Sequence, residues 1–292
     1  MEANKIQGEA KSLMLDNGAE LTYCERGAEN SEVIITTAFY FHTFMPVVER
    51  LAEKYHVYGI VMRFDGKTDE LNADGTTNWA RQWGKDEYDF VVKMGIKEYV
   101  HVGKCHGTVP GWYQVKEHPE MLKAFASFYL APHVFPAEGD RWTSLMTSGD
   151  SKTLMSIALR KPEEGLQKKM AELAALGGAI SSPAMAEYGG YAEKIWDSVD
   201  DVKRAMQEMT IPVAYCFGTD DPLFQDHWKS NLYAIMNTRG ARATFLQGEK
   251  HLMELDDADR VSNEVLLFLS EVEKGWHKEI MAKPMSENLT FG

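Results

Sequence analysis

The chain has 292 residues, 44% of them hydrophobic, and carries a formal net charge of −13. That length is sufficient for one large α/β domain or two smaller ones. The acidic charge and the scattered basic residues exclude nucleic acid as the expected partner. The polar stretch 1–11 lacks the apolar core of a signal peptide. No apolar run approaches the roughly 20 residues that span a bilayer, so we predict no membrane association.

The three cysteines are Cys24, Cys105 and Cys216. Their odd number and the lack of a Cys-x-x-Cys pair argue against a disulfide framework and a zinc site. No His/Asp/Glu cluster has metal-ligand spacing, and no glycine-rich loop is typical of phosphate binding. We therefore predict a cytoplasmic protein without metal or cofactor.

Strands and helices are predicted to alternate over the first part of the chain. A hairpin over 11–27 turns at Asp16-Asn17-Gly18. Further predicted strands cover 33–39, 57–64, the apolar run from Tyr99, and 124–131; predicted helices cover 45–55, 76–94 with a cap near Thr77, and the segment after Cys105 to about His118. The later strands are apolar on both faces, which is typical of a parallel sheet covered by helices on both sides.

Between His133 and Met209 this alternation stops, and the segment is helical in character. It is too long for an ordinary connection between a strand and a helix. We predict a helical cap over 133–209, inserted into a core formed by 1–132 and 210–292; a long helical crossover is the alternative. Predicted strands then resume at 212–217 and 243–246, with predicted helices over 224–238 and 256–276.

The sequence Gly103-Lys104-Cys105-His106-Gly107 follows the Tyr99 strand and precedes a helix-length segment. It has the form of a nucleophile elbow with cysteine at the usual serine position. A sharp turn from strand to helix leaves no room for side chains at Gly103 and Gly107. The turn would place the thiol at a helix N-terminus, where the thiolate is favoured. The pentapeptide alone is also compatible with an inert buried thiol.

Two further motifs follow predicted strands: Gly218-Thr219-Asp220-Asp221-Pro222, and Gly248-Glu249-Lys250-His251 about 30 residues after Asp221. With the elbow, they give the order nucleophile, acid, histidine. On these motifs the chain resembles the α/β-hydrolase superfamily over about residues 20–276. The resemblance implies a mostly parallel, doubly wound sheet with an inserted helical cap. It assigns the catalytic triad to Cys105, His251 and Asp221, with Asp220 as the rival acid.

The resemblance also implies an oxyanion hole. One donor would be the backbone N–H of His106, and the other would come from the loop after the predicted strand 33–39, with Phe39 favoured and Tyr40 next. This loop departs from the family's usual His-Gly sequence. Tyr40, His42 and Trp112 are candidate substrate-binding residues. Packing roles are equally compatible with Tyr40 and His42, and an aromatic residue such as Trp112 more often belongs to the core. Lys104 is expected to face solvent or the cap.

A cysteine nucleophile would form a thioester intermediate. The predicted function is hydrolysis of an ester, thioester, lactone or activated C–C bond of a small acyl substrate through acyl-Cys105. Acyl transfer or condensation through the same intermediate is the alternative, and a non-catalytic ligand-binding protein of this fold is a third. The sequence leaves open a homodimer, and leaves open whether the cysteine replaces a natural serine.

Overall fold

The computed structural model describes residues 10–38, 41–141, 144, 156, 158–161 and 192–282. One eight-stranded sheet organises them, in the order β1-β2-β4-β3-β5-β6-β7-β8. The strands are β1 Lys11–Met14, β2 Glu20–Arg26, β3 Val33–Ala38, β4 His56–Val61, β5 Tyr99–Lys104, β6 Leu122–Phe128, β7 Val213–Gly218 and β8 Arg242–Leu246. Strands β1 and β2 pair antiparallel as a hairpin, and β2 pairs antiparallel with β4. All other pairings are parallel, so the predicted mostly parallel sheet is confirmed.

Helices follow most of the parallel strands. They are α1 Phe41–Leu51, α2 Trp79–Lys93, α3 Thr108–Glu117, α4 Ala192–Ile195, α5 Val199–Gln207, α6 Pro222–Asp226, α7 Trp228–Asn237, α8 Met253–Asp256, α9 Ala258–Glu273 and α10 Trp276–Met281. Two 3₁₀ turns, Cys105–Gly107 and Pro119–Met121, precede α3 and β6.

Each face of the sheet has its own hydrophobic core. Helices α1 and α9 contribute Phe44, Val48 and Phe268 to one core. Helices α2 and α3 contribute Trp83 and Trp112 to the other. Because successive side chains of a strand point to opposite faces, parallel strands buried on both sides read as continuous apolar runs. The doubly wound arrangement follows from that pattern.

Several helices differ in extent from their predictions, two of them clearly. Helix α1 begins at Phe41 and contains Pro46, whereas the sequence predicted a start at Met45. The predicted helix over 224–238 is two helices, α6 and α7, which meet at His227. Asp221 caps the first of them by accepting a hydrogen bond from the Leu223 N–H, with Pro222 at the first helical position.

Most of the predicted cap lies outside the described residues, so its boundaries stay a prediction. Of its described parts, α4 contacts α2 and α3, and α5 contacts α7. Val202 and Met206 of α5 are buried in the same core as Trp112. The final stretch of the predicted cap therefore packs on the helices that cover the sheet. Among the described helices, none is both long enough and apolar enough to cross a membrane.

Candidate active site

The segment that joins β5 to α3 is a single tight turn. Strand β5 ends at Lys104, the 3₁₀ turn covers Cys105–Gly107, and α3 begins at Thr108. Cys105 has φ of 51°, a left-handed conformation that non-glycine residues rarely adopt. Strain of this kind at a strand-to-helix turn is typical of a nucleophile elbow.

The two glycines that flank Cys105 are required by close backbone approach. A Cβ atom at Gly103 would lie 2.5 Å from the Gly107 carbonyl oxygen and 2.6 Å from Thr108 Cα. A Cβ atom at Gly107 would lie 1.9 Å from the carbonyl oxygen of Thr37 on strand β3. These contacts are with backbone, which cannot move aside as a flexible side chain can. The collisions expected from the sequence are therefore present on both sides of Cys105.

The Cys105 thiol contacts two imidazoles. Its Sγ lies 3.2 Å from Nδ1 of His106 and makes a side-chain hydrogen bond with His251. Burial opposes ionisation of this thiol, but the positive charges of His106 and His251 and their hydrogen bonds lower its pKa well below the usual range. The site therefore favours a thiolate, the reactive form of cysteine.

His251 is held by an acid on its far side. Its Nδ1 donates a hydrogen bond to Asp221 Oδ2 at 2.9 Å, and both side chains are buried. Burial lowers the pKa of His251, but the charges of Asp221 and of the Cys105 thiolate outweigh it and raise that pKa to about 9. The three side chains thus form a continuous chain from carboxylate to sulfur, with the imidazole charged at neutral pH.

Asp221, and not its neighbour Asp220, contacts the histidine. Asp221 Oδ1 also accepts a hydrogen bond from the Leu223 N–H at 2.8 Å, which fixes the carboxylate orientation. Asp220 is exposed, and its Oδ1 accepts from the Thr219 hydroxyl at 3.1 Å. The Asp220 backbone N–H donates to the Glu249 carbonyl at 3.0 Å.

Lys104 does not face solvent or the cap, which corrects the sequence prediction. Its side chain is buried and its ammonium pairs with Glu254. Glu254 Oε2 also accepts a hydrogen bond from the Tyr129 hydroxyl at 2.7 Å, and the Tyr129 ring lies 5.4 Å from the His251 ring. A buried charge needs a partner of opposite charge, and Glu254, the partner of Lys104, follows His251 by three residues. The ion pair between Lys104 and Glu254 therefore connects the elbow to the loop that carries His251, called here the histidine loop.

The histidine loop is also held by residues 158–161. The Leu252 N–H donates to the Ala158 carbonyl at 2.8 Å. The buried Glu249 carboxylate pairs with Arg160 at 3.0 Å and with Arg260 at 2.6 Å. Backbone and side-chain contacts therefore connect this described part of the predicted cap to the segment that carries His251.

The remaining predicted site residues are distributed as follows. Phe39 and Tyr40 lie outside the described residues; His42 belongs to α1, and its side chain is likewise outside them. Trp112 is fully buried, and its ring packs on Phe125 at 5.1 Å between centroids. That is the position of a core residue, and it gives no support to the predicted substrate contact.

The His106 side chain was not predicted to take part in the site. Only the backbone N–H of this residue was expected to act, whereas the imidazole contacts the sulfur. The position of His106 directly after the cysteine was the sequence feature from which a contact between its imidazole and the sulfur could have been predicted. Within the described part of the chain, no group of three or more His, Cys, Asp or Glu side chains is arranged to hold a metal ion.

Sequence comparison finds no matching family model and no similar curated protein. Solved structures are similar in fold. A serine hydrolase from the polyaromatic hydrocarbon-degrading bacterium Cycloclasticus zankles superposes with a TM-score of 0.71 and 17% identity, covering 90% of this chain and 98% of that one. An esterase from Rhodococcus sp. gives 0.66 and 17%, covering 91% and 100%. An enol-lactonase from Burkholderia xenovorans gives 0.65 and 15%, covering 89% and 100%. The chain therefore has the α/β-hydrolase fold.

Proposed function

We propose that the protein is a hydrolase that cleaves an ester, thioester, lactone or activated C–C bond of a small acyl substrate through a covalent acyl-Cys105 intermediate. The observation that carries this proposal is Cys105, whose backbone is in the left-handed region and whose sulfur is hydrogen-bonded to His106 and His251. A merely structural thiol needs neither the strain nor the charged partners.

In the acylation step, the Cys105 thiolate attacks the substrate carbonyl carbon. The new S–C bond forms as the carbonyl π electrons move onto oxygen, where the His106 N–H is the expected first donor and Phe39 the expected second. The oxyanion then collapses and the bond to the leaving group breaks. The His251 imidazolium gives its proton to that group, and Asp221 keeps the ring oriented throughout.

Deacylation reverses these roles. Neutral His251 takes a proton from water, the resulting hydroxide attacks the thioester carbon, and the thiolate leaves as the acid is released. His251 is then an imidazolium again beside a thiolate, which is the starting state. Each proton taken up by the histidine is returned within one cycle, so no cofactor is needed by this scheme.

The fold neighbours are consistent with this reaction class. Their names identify a serine hydrolase, an esterase and an enol-lactonase. A cysteine nucleophile in place of a serine would keep the same two-step chemistry, with a thioester intermediate in place of an oxygen ester. We extend the proposal to a cytoplasmic protein in which the cap over 133–209 bounds the substrate site.

The reaction is tested with p-nitrophenyl acetate, an activated ester. Hydrolysis predicts a burst of about one p-nitrophenolate per chain, followed by steady release of acetate. The mixture is then supplied with graded amounts of an amine, thiol or hydroxy acceptor. Acetate should stay the dominant product. If p-nitrophenolate release stops after the burst and resumes only when an acceptor is added, with the acetyl group found on the acceptor and little acetate formed, the protein is an acyltransferase. No release of p-nitrophenolate at all would contradict both functions.

A further inference from the structure

The carbonyl oxygen of Gly107 receives hydrogen bonds from two buried side chains. The Thr37 hydroxyl, at the end of strand β3, donates to it at 2.5 Å. His101 Nε2, on strand β5, lies 3.0 Å from the same oxygen. Thr37 and His101 are respectively 1% and 0% exposed, so water does not compete for these bonds. The last peptide of the elbow is therefore tied to both neighbouring strands.

The ring of His101 lies between two oxygen atoms. A carbonyl can only accept, so in the bond to Gly107 the Nε2–H group donates. On the opposite side of the ring, Nδ1 lies 2.9 Å from Glu87 Oε1, which also accepts from the Tyr99 hydroxyl at 2.8 Å. A carboxyl group in this position fixes the orientation of the imidazole it contacts. The buried row Tyr99, Glu87 and His101 thus holds the His101 ring with Nε2 directed at the Gly107 carbonyl.

The Gly107 carbonyl lies in the same three-residue turn, Cys105–Gly107, as the expected His106 donor. We propose that Thr37 and His101 are positioning residues for the oxyanion hole, which hold the Gly107 carbonyl and thereby the turn carrying the His106 N–H. The role rests on the proposed acyl-Cys105 chemistry. Neither side chain touches the sulfur, and each acts through the backbone of the turn.

The location of Thr37 gives it a second effect. Strand β3 ends at Ala38, and the expected second donor, Phe39, follows directly. The Thr37 bond therefore links the strand that leads to one donor with the turn that carries the other. Oxyanion stabilisation depends on donors held in advance at hydrogen-bond distance, so even a small loosening of this link weakens it.

A matched pair of substitutions isolates the effect. Thr37→Val keeps the side-chain shape and removes the donor to Gly107. Thr36→Val is the control, because Thr36 is equally buried on the same strand but its hydroxyl faces the Tyr58 carbonyl at 3.4 Å. His101→Phe keeps a flat ring and removes both ring nitrogens. Circular dichroism and thermal unfolding establish which variants are folded, and Thr37→Val decides the matter if His101→Phe is not.

Two reactions of Cys105 are then compared by mass spectrometry. Acetylation by p-nitrophenyl acetate passes through an oxyanion and expels p-nitrophenolate. Alkylation by iodoacetamide forms an S–C bond as iodide leaves, and no oxyanion develops. We expect Thr37→Val and His101→Phe to slow acetylation by about 10- to 100-fold, less than the loss of a whole donor. Alkylation should stay within about twofold of the wild-type rate, since both imidazoles at the sulfur remain.

Three results would overturn the assignment. Acetylation of Thr37→Val as fast as that of Thr36→Val would remove the positioning role. An equal fall in acetylation and alkylation would mean that the substitution loosens the elbow generally. If the wild-type protein is alkylated but never acetylated at Cys105, the proposed function fails and the positioning role fails with it. Acetylation of the wild-type protein therefore tests the proposed function, and comparison of the variants with the wild type tests the positioning role.

Discussion

Cys105 and Cys216 are both buried in the same sheet region, 8% and 3% exposed, yet their surroundings drive their thiols in opposite directions. Cys216 lies within strand β7, where burial raises its pKa above the usual range. Cys105 lies just beyond β5, where two imidazoles lower its pKa despite burial. Cys24, on β2, behaves like Cys216, with burial raising its pKa to about 11.

Burial alone therefore makes a cysteine inert in this fold. Reactivity comes from position at the carboxyl end of a central parallel strand, where the loops carrying His106 and His251 converge on the sulfur. Ligand and catalytic sites of open α/β sheets lie at this edge for the same topological reason. Substitutions and pH profiles can test how completely the two environments differ, beginning with the nucleophile itself.

Cys105→Ala should lower kcat/KM for p-nitrophenyl acetate by about 10⁴-fold or more, because the covalent route is lost and only binding and the oxyanion donors remain. Cys216→Ala is the matched control. Its thiol stays protonated, so activity should stay within about twofold while stability falls by about 1 kcal/mol. Similar losses of activity in the two variants would erase the distinction between the two cysteines.

Asp221→Asn should lower kcat by about 10²- to 10⁴-fold, because an amide cannot stabilise the His251 imidazolium or hold its tautomer. Asp220→Asn, one residue away and exposed, should change kcat by less than about twofold. Steady-state kinetics on the two variants decide the assignment. A larger loss in the Asp220 variant would mean that the acid has been misidentified.

The pH profile of alkylation should separate Cys105 from an ordinary thiol. A thiolate exists above its pKa, and since that of Cys105 is well below the usual range, iodoacetamide should react at pH 6 within about threefold of its rate at pH 8. An unperturbed cysteine thiol, with a pKa of about 8.5, would react roughly 100-fold more slowly at pH 6 than at pH 8. A tenfold rise in the alkylation rate per pH unit up to pH 8 would contradict this prediction.

Turnover of the substrate should fall above about pH 9, where His251 loses the proton it donates.

His106→Gln should have the smallest effect. The backbone N–H is kept, but one of the two imidazoles at the sulfur is removed, so alkylation at pH 6 should slow by about three- to tenfold. His118→Gln is the control, because His118 stacks on the Tyr88 ring at 3.7 Å. An unchanged rate for His106→Gln would leave His251 as the sole group that favours the thiolate.

Local signals account for most of what the sequence predicted. The hairpin turn, the glycines around Cys105 and the strand-helix alternation depend on neighbours along the chain, and the sheet bears out that part of the prediction. The helix boundaries were less accurate. Helix α1 begins at Phe41, before its predicted start at Met45, and no local feature marked the break at His227.

Contacts between distant segments could not be predicted in this way. Lys104 has no visible partner in the sequence, because Glu254 lies 150 residues further on. His101 likewise looks like an ordinary strand residue until Glu87 and Gly107 are brought to its two nitrogens. Both pairings depend on the order of strands in the sheet, which the periodicity of one sequence does not specify.

The proposed chemistry requires that Cys105 carries the acyl group during turnover. This is measured by mixing the protein with p-nitrophenyl acetate, quenching in acid during the burst, and mapping the acetyl group by peptide mass spectrometry. We expect acetyl mass on the peptide containing Cys105, with the peptides containing Cys24 and Cys216 unmodified. Acetyl mass only on another residue, or a steady turnover with Cys105 never modified, would contradict the acyl-cysteine mechanism.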